Sequence, residues 1–363
     1  MNYLRYLGAT FDLLRHNQKA AQRPIHLQIE VSTFCNLACT MCPHPTLIKN
    51  PRHMTMIEFQ KVFDTLKPLK IGMSGLGEPF LNPDMTEMIR YAHSAGTKTI
   101  TTSNLTVITP ALAQKIVESG LGLLKGSVDS TDPNVYAAIR KRNLHHKVLE
   151  GLKNLREAKR QIGSKTPHVR LQFVMQKANY RDIPAFLDLA EELGVEAVYF
   201  QAIDLAVDEY VDAELIDELI GDINKDEFKA IIDLAAEKSS HMKMATNLPD
   251  LAREFEEIWK KYRLVASRDS PTDVCLMPWT SVYITVDGDV RPCCSFSASD
   301  GMTMGNIFQE DFMAIWNNDK YQKLRKAFHK GKRSHKICSN CIAPTLWRLV
   351  KASSKFSKFM LFR

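Results

Sequence analysis

Eight cysteines stand in two groups, Cys35, Cys39 and Cys42 near the start of the chain and Cys275, Cys293, Cys294, Cys338 and Cys341 near its end, with none between. Disulfide frameworks belong to smaller and denser secreted domains. Cys-x3-Cys-x2-Cys and Cys-x2-Cys spacing in a chain of 363 residues points instead to soft-metal or iron–sulfur ligation in a reducing compartment. A [4Fe–4S] cube takes four ligands, so three close cysteines leave one iron for a non-protein ligand. A zinc site completed by His44 is the alternative on these residues alone.

The rest of the sequence is ordinary globular material, 45% hydrophobic and 25% charged, long enough for one large domain and a smaller one. The N-terminal stretch MNYLRYLGATFDLLRHNQKA lacks the continuous apolar core and cleavage site of a signal peptide. No run reaches the about 18 apolar residues of a membrane span, so a cytoplasmic protein is expected. The net charge of +7 gathers largely in Lys320–Lys336 and Lys351–Arg363, and reads as a solvated face rather than a nucleic-acid surface. Tyr3, Leu4, Leu7, Phe11 and Leu14 share one helical face, and Leu346–Arg363 mixes aromatic with basic residues. Either end could pack on the fold or an oligomer partner, or make peripheral contact with a membrane.

Between Ile25 and Ile203, short strand-like runs alternate with amphipathic helical stretches, which predicts parallel β/α units. The strands are expected at Ile25–Val31, Leu69–Ser74, Thr97–Thr102, Leu123–Val128, His168–Met175 and Ala197–Ile203. Buried parallel strands are normally apolar throughout, yet Gln28, Glu30, Arg170, Gln172 and Gln201 interrupt these at alternate positions, as in an open barrel with a polar interior. Residues 206–270 read as a helical linker or lid. Val282–Val290 alternates around Asp287-Gly288, a hairpin signal.

Cys35-x3-Cys39-x2-Cys42 after the first strand of such a series resembles the radical S-adenosylmethionine (SAM) superfamily, over roughly residues 22–205. The resemblance implies a partial (β/α)6 barrel in which the three cysteines hold a SAM-binding [4Fe–4S] cluster. Gly75-Leu-Gly77-Glu78-Pro79 is similar to the family segment that receives the SAM ammonium. Ser103 and Asn104 after the third strand, and Ser127 and Asp129 after the fourth, correspond to contacts with the methionyl carboxylate and ribose. Arg140 resembles a carboxylate-binding arginine.

Cys275, Cys293, Cys338 and Cys341, spaced around the hairpin, are similar to the SPASM/twitch extension of that superfamily, a small α+β domain over residues 271–345. One auxiliary [4Fe–4S] cluster is expected, with 1–21 an amphipathic segment and 346–363 a tail. The resemblance implies a radical SAM oxidoreductase that abstracts hydrogen from a small-molecule substrate and draws on an external electron donor such as flavodoxin or ferredoxin. A sugar, aminocyclitol or other polyol suits the polar interior. Glu30, Asp204 and Asp208 are candidate bases by position. Epimerisation with Cys294 as hydrogen donor, peptide maturation and lipid modification are the alternatives. A structural zinc protein that binds nucleic acid is the reading outside enzymes.

Overall fold

A computed structural model of the chain describes residues 2–15, 17–203, 212–262, 275–296, 302–329 and 338. Asp204, Asp208, Cys341 and the C-terminal tail lie outside the described residues. In chain order the strands are β1 His26–Ile29, β2 Lys70–Met73, β3 Lys98–Ser103, β4 Leu123–Ser127, β5 His168–Met175, β6 Ala197–Ala202, β7 Ala245–Thr246, β8 Ser281–Ile284, β9 Asp289–Arg291 and β10 Gly305–Asn306. The chain is an α/β fold, parallel strands followed by antiparallel hairpin strands. It divides into two compact units, the boundary falling within β3.

The first unit is drawn from Met1–Cys35, Thr46–Thr101 and Arg268–Lys351. There β1 pairs in parallel with β2 on one side and β8 on the other, His26 standing opposite both Lys70 and Ser281. The expected hairpin is therefore joined to the barrel strand β1 rather than standing apart, because β1 offers a free edge that β8 fills. Gly288 makes the hairpin turn at φ +86°, a left-handed conformation glycine adopts without strain. β9 continues the antiparallel run to β10.

The helix Met56–Leu66 opens with a capping box between Thr55 and Glu58 and buries Phe59, Val62, Phe63 and Leu66 at helical spacing. The C-terminal part of this unit grips the chain entry: Trp279 Nε1 donates to Asn17 O at 2.9 Å, Trp316 Nε1 to Gln22 O at 3.0 Å and Arg325 to Gln18 O at 2.9 Å. Asp12, 3% exposed, accepts from Asn17 Nδ2 and from the Ala21 amide, which closes the same segment.

The second unit takes in Asn36–Pro45 and Thr102–Ser267. β4, β5, β6 and β7 pair in parallel in that order. β7 is a two-residue strand inside the segment read as a linker. Side chains alternate across a sheet. One face carries Leu124, Leu171, Phe173, Val198 and Phe200, fully buried with Phe186 and Leu187 of the helix Ile183–Leu193. The other carries Lys125, Ser127, Arg170, Gln172, Tyr199 and Gln201 in register. Among the described residues, no helix is long and apolar enough to cross a membrane.

Candidate active site

The first unit brings Glu30, Gly75 and Leu76 together. Glu30 follows β1, is 4% exposed, and its Oε1 accepts the Leu76 N–H at 2.8 Å. The Tyr283 hydroxyl of β8 donates to Oε1 and the Val286 amide of the hairpin to Oε2, each at 3.3 Å. Burial pushes the Glu30 carboxyl above its ordinary range, and the two amides, Tyr283 and the Arg291 cation oppose the shift. Tyr283 is itself raised by burial and by the Glu30 charge, so its hydroxyl remains a donor.

Gly75 and Gly77 are glycines for want of space. A Cβ on Gly75 would lie 2.7 Å from Glu30 Cβ, and one on Gly77 would meet the backbone at 2.7 Å from Phe34 O. The loop after β2 is thus pressed onto the segment that leads to Cys35. Glu78, 2% exposed, donates its amide to Phe34 O at 2.7 Å and accepts the Phe80 amide at 3.2 Å, with Pro79 opening the following 3₁₀ turn.

A cavity of about 340 Å³ opens beside this cluster, bordered by Glu30, Thr33, Lys49, Leu76, Asp287 and Arg291. Arg52 bonds both Glu58 and Asp287, the latter on the cavity's border. Farther along, Cys293 and Cys294 follow β9; Cys294 is exposed and lies within electrostatic reach of Tyr283, whereas Cys293 stands in reach of Tyr321. Cys275 is half-buried and Cys338 buried.

In the second unit, the cysteine loop is held by backbone bonds to the end of the helix Pro133–Arg140: Thr40 N donates to Ile139 O at 2.9 Å and Ala38 N to Arg140 O at 3.4 Å. Arg140, 7% exposed, forms an ion pair with the fully buried Asp129 and donates to Cys39 Sγ at 3.4 Å. Burial alone would lower the guanidinium, but Asp129 and Cys39 outweigh it and hold Arg140 charged. Asp129 Oδ1 accepts the Val174 amide at 2.9 Å, so both its oxygens are engaged inside the protein. Ser103 Oγ accepts the Leu105 amide at 2.9 Å. Asn104 Nδ2 donates to Asn36 Oδ1 at 2.9 Å, and Asn36 Nδ2 donates to Thr106 Oγ1 at 2.8 Å. Asn36 and Thr106 escaped the sequence reading, although Asn36 lies directly after the first cysteine. Ser127 ends β4, half-buried, opposite Gln172.

These donors fit iron–sulfur chemistry. Cys35, Cys39 and Cys42 are half-buried, none of the seven described cysteines is in a disulfide, and a cation sits against the Cys39 sulfur. Among the described residues, no three His, Cys, Asp or Glu side chains converge on a point that a single metal ion would fill. A cube takes one thiolate per iron and spreads its ligands more widely.

Residues 29–190 match the Radical SAM superfamily and residues 275–342 match SPASM, an iron–sulfur cluster-binding domain. The chain belongs to the radical SAM superfamily, with a C-terminal SPASM domain, and is a radical SAM enzyme with a SAM-binding cluster and a SPASM auxiliary iron–sulfur centre. It is 26% identical to the AdoMet-dependent heme synthase of Methanosarcina barkeri over 86% of this chain and 90% of that protein. It is 23% identical to the tungsten-containing aldehyde ferredoxin oxidoreductase cofactor-modifying protein of Pyrococcus furiosus, over 87% and 86%. In fold it is similar to Streptococcus suis SuiB bound to precursor peptide SuiA, with a TM-score of 0.65 at 17% identity over 95% of this chain and 76% of that one.

Proposed function

We propose that the protein is an oxidoreductase that removes two hydrogens from a polar small molecule, of the class of sugars, aminocyclitols or other polyols. The reading is carried by the polar face of the second unit's sheet. There Gln172 Nε2 donates to Gln201 Oε1 at 3.3 Å, and Arg170 is held over the Tyr199 ring at 5.3 Å. Burial pushes the Arg170 guanidinium down to about 10, so it remains a cation at neutral pH. A buried cation and paired amides favour an oxygen-rich ligand over an apolar one. The polar cavity bordered by Glu30, Lys49 and Arg291 supports the same class. The relatives named a heme synthase and a cofactor-modifying protein are named for small molecules rather than peptides.

When bound, the clusters supply the electron that cleaves SAM and a one-electron acceptor for the substrate, an external flavodoxin or ferredoxin recharging the first. Cys35, Cys39 and Cys42 would ligate the first; Cys275, Cys293, Cys338 and Cys341 would ligate one auxiliary [4Fe–4S] cluster. Gly75, Gly77, Glu78 and Pro79 would receive the SAM ammonium. Ser103, Asn104 and Ser127 would meet its carboxylate and ribose, while Asp129 holds Arg140 in place against Cys39. Glu30, with both oxygens accepting hydrogen bonds, is read as a positioning residue for the Gly75-Leu76 loop rather than as the base. Asp204 or Asp208 would then take the hydroxyl proton. The substrate carbinol loses its C–H hydrogen as an atom, its O–H as a proton and one further electron, leaving a carbonyl.

The test is anaerobic turnover of the reconstituted enzyme with SAM, reductant and polyols deuterated at the carbinol carbon. Deuterium in 5′-deoxyadenosine, with an equivalent of carbonyl product, supports the proposal. Deuterium transfer followed by inversion with solvent hydrogen would instead favour epimerisation through Cys294, whose exposure suits a hydrogen donor. Absence of any 5′-deoxyadenosine would overturn both.

A further inference from the structure

The helix Asn2–Leu14 carries apolar side chains on two opposite faces. Ala9 and Leu13, 1% and 6% exposed, face the first unit beside the buried Asp12. The Arg5 guanidinium pins the same side to the carbonyls of Lys67, Pro24 and Leu66. Leu7, Phe11 and Leu14 lie at i, i+4 and i+7 on the other side and are 65%, 52% and 60% exposed. A helix apolar on both sides is normally covered on both. The large apolar side chains left exposed elsewhere among the described residues stand singly, Ile57, Ile162 and Leu234 on other helices and Phe34 in the loop after β1.

The charges around this stripe are of one sign. Arg15 stacks its guanidinium over the Phe11 ring at 4.2 Å, and Lys19 and the exposed Arg23 follow. The only acid between Met1 and Arg23 is Asp12, and its carboxylate is turned inward onto Asn17, Ala21 and Gln22. On the same unit a cavity of about 700 Å³ is bordered by Arg5, Arg23, Lys67 and the turn Ala95-Gly96-Thr97, with Asp64 the one acid on its wall. An exposed apolar ridge flanked by cations is complementary to a surface that is apolar beneath and anionic on top. A second copy of this chain, bringing the same cations to the same ridge, would meet it with repulsion.

We infer that the Leu7–Phe11–Leu14 face is a docking surface for an anionic lipid bilayer, entered by the three apolar side chains while Arg15, Lys19 and Arg23 meet the headgroup phosphates. Membrane seating of this kind is peripheral and salt-sensitive. The inference is independent of which substrate class the enzyme takes.

The experiment is co-sedimentation of the reconstituted full-length enzyme with vesicles of phosphatidylglycerol and phosphatidylcholine, against vesicles of phosphatidylcholine alone. The wild type should pellet with the anionic vesicles at low salt and be released at high salt. Leu7→Ser/Phe11→Ser/Leu14→Ser should reduce the bound fraction at least about tenfold, and Arg15→Gln should weaken binding less. All three replaced side chains are exposed, so circular dichroism and 5′-deoxyadenosine formation should match the wild type. Wild type that stays in the supernatant, or a triple variant that pellets equally, would overturn the inference. So would a wild-type dimer in light scattering that the triple variant abolishes, since a second copy would then cover the face.

Discussion

Glu30 Oε1 accepts the Leu76 amide at 2.8 Å while Oε2 accepts the Val286 amide at 3.3 Å, so one carboxylate ties the loop after β2 to the hairpin after β8. Glu30→Ala would strand these two amides and the Tyr283 hydroxyl. The expected cost is about 2–4 kcal/mol of stability, read as a lower urea midpoint.

The same carboxylate sets a pH dependence. Its folded value lies above the ordinary 4.5, so its protonated form is favoured by folding. The contribution is fully present below 4.5 and is lost as pH rises through the folded value. Relative to Glu30→Gln, the wild type should therefore lose stability on going from acid toward neutral pH. Parallel urea titrations across that range check the sign; a flat difference would remove Glu30 as its source.

Arg140 serves Asp129 and the Cys39 sulfur at once. Arg140→Gln leaves the Asp129 charge buried without its cation, a loss of about 3–5 kcal/mol. Arg140→Lys keeps the charge, but a point ammonium does not reproduce the planar fork. It is expected to retain most of the fold yet take up less iron on reconstitution, measured as iron per chain against the wild type.

On the proposed complement of one SAM-binding and one auxiliary [4Fe–4S] cluster, replacing Cys35, Cys39 and Cys42 together by Ala should lower reconstituted iron from about eight to about four per chain and abolish 5′-deoxyadenosine formation. The quadruple change at Cys275, Cys293, Cys338 and Cys341 should remove about as much iron while sparing reductive SAM cleavage. Cys294→Ala should leave iron unchanged; a loss equal to that of Cys293→Ala would make Cys294 the ligand instead.

Gly77→Ala drives a methyl into backbone at Ser32 and Phe34, whereas Gly75→Ala meets the Glu30 side chain. Backbone cannot yield as a side chain can, so Gly77→Ala should be the more damaging, with a higher KM for SAM where the protein folds. Comparison of the two variants by SAM titration checks the order.

Much of the barrel was legible because its strands announce themselves locally. β5 and the helix Ile183–Leu193 fall where periodicity put them, and Gln172 and Gln201 interrupt the apolar runs of β5 and β6 on the same face of the sheet. What could not be read was pairing at a distance. Nothing near His26 says that Ser281 will lie beside it, nor does anything near Asp129 say that its carboxylate will be spent on Arg140. β7 was missed because two residues carry no period. From the sequence Glu30 is a candidate base only by its place on the expected first strand; its three donors, which come from the β2 loop and from hairpin residues far along the chain, lie beyond what local sequence shows.

The ladder between β1 and β8 carries a consequence for biosynthesis. As the nascent chain leaves the ribosome, β1 (His26–Ile29) emerges long before its partner β8 (Ser281–Ile284). Until then one edge of β1 is an open template for mispairing. The first cysteine motif therefore follows a strand that stays half-tethered until β8 emerges, and a product truncated before Ser281 should aggregate rather than persist as an isolated barrel.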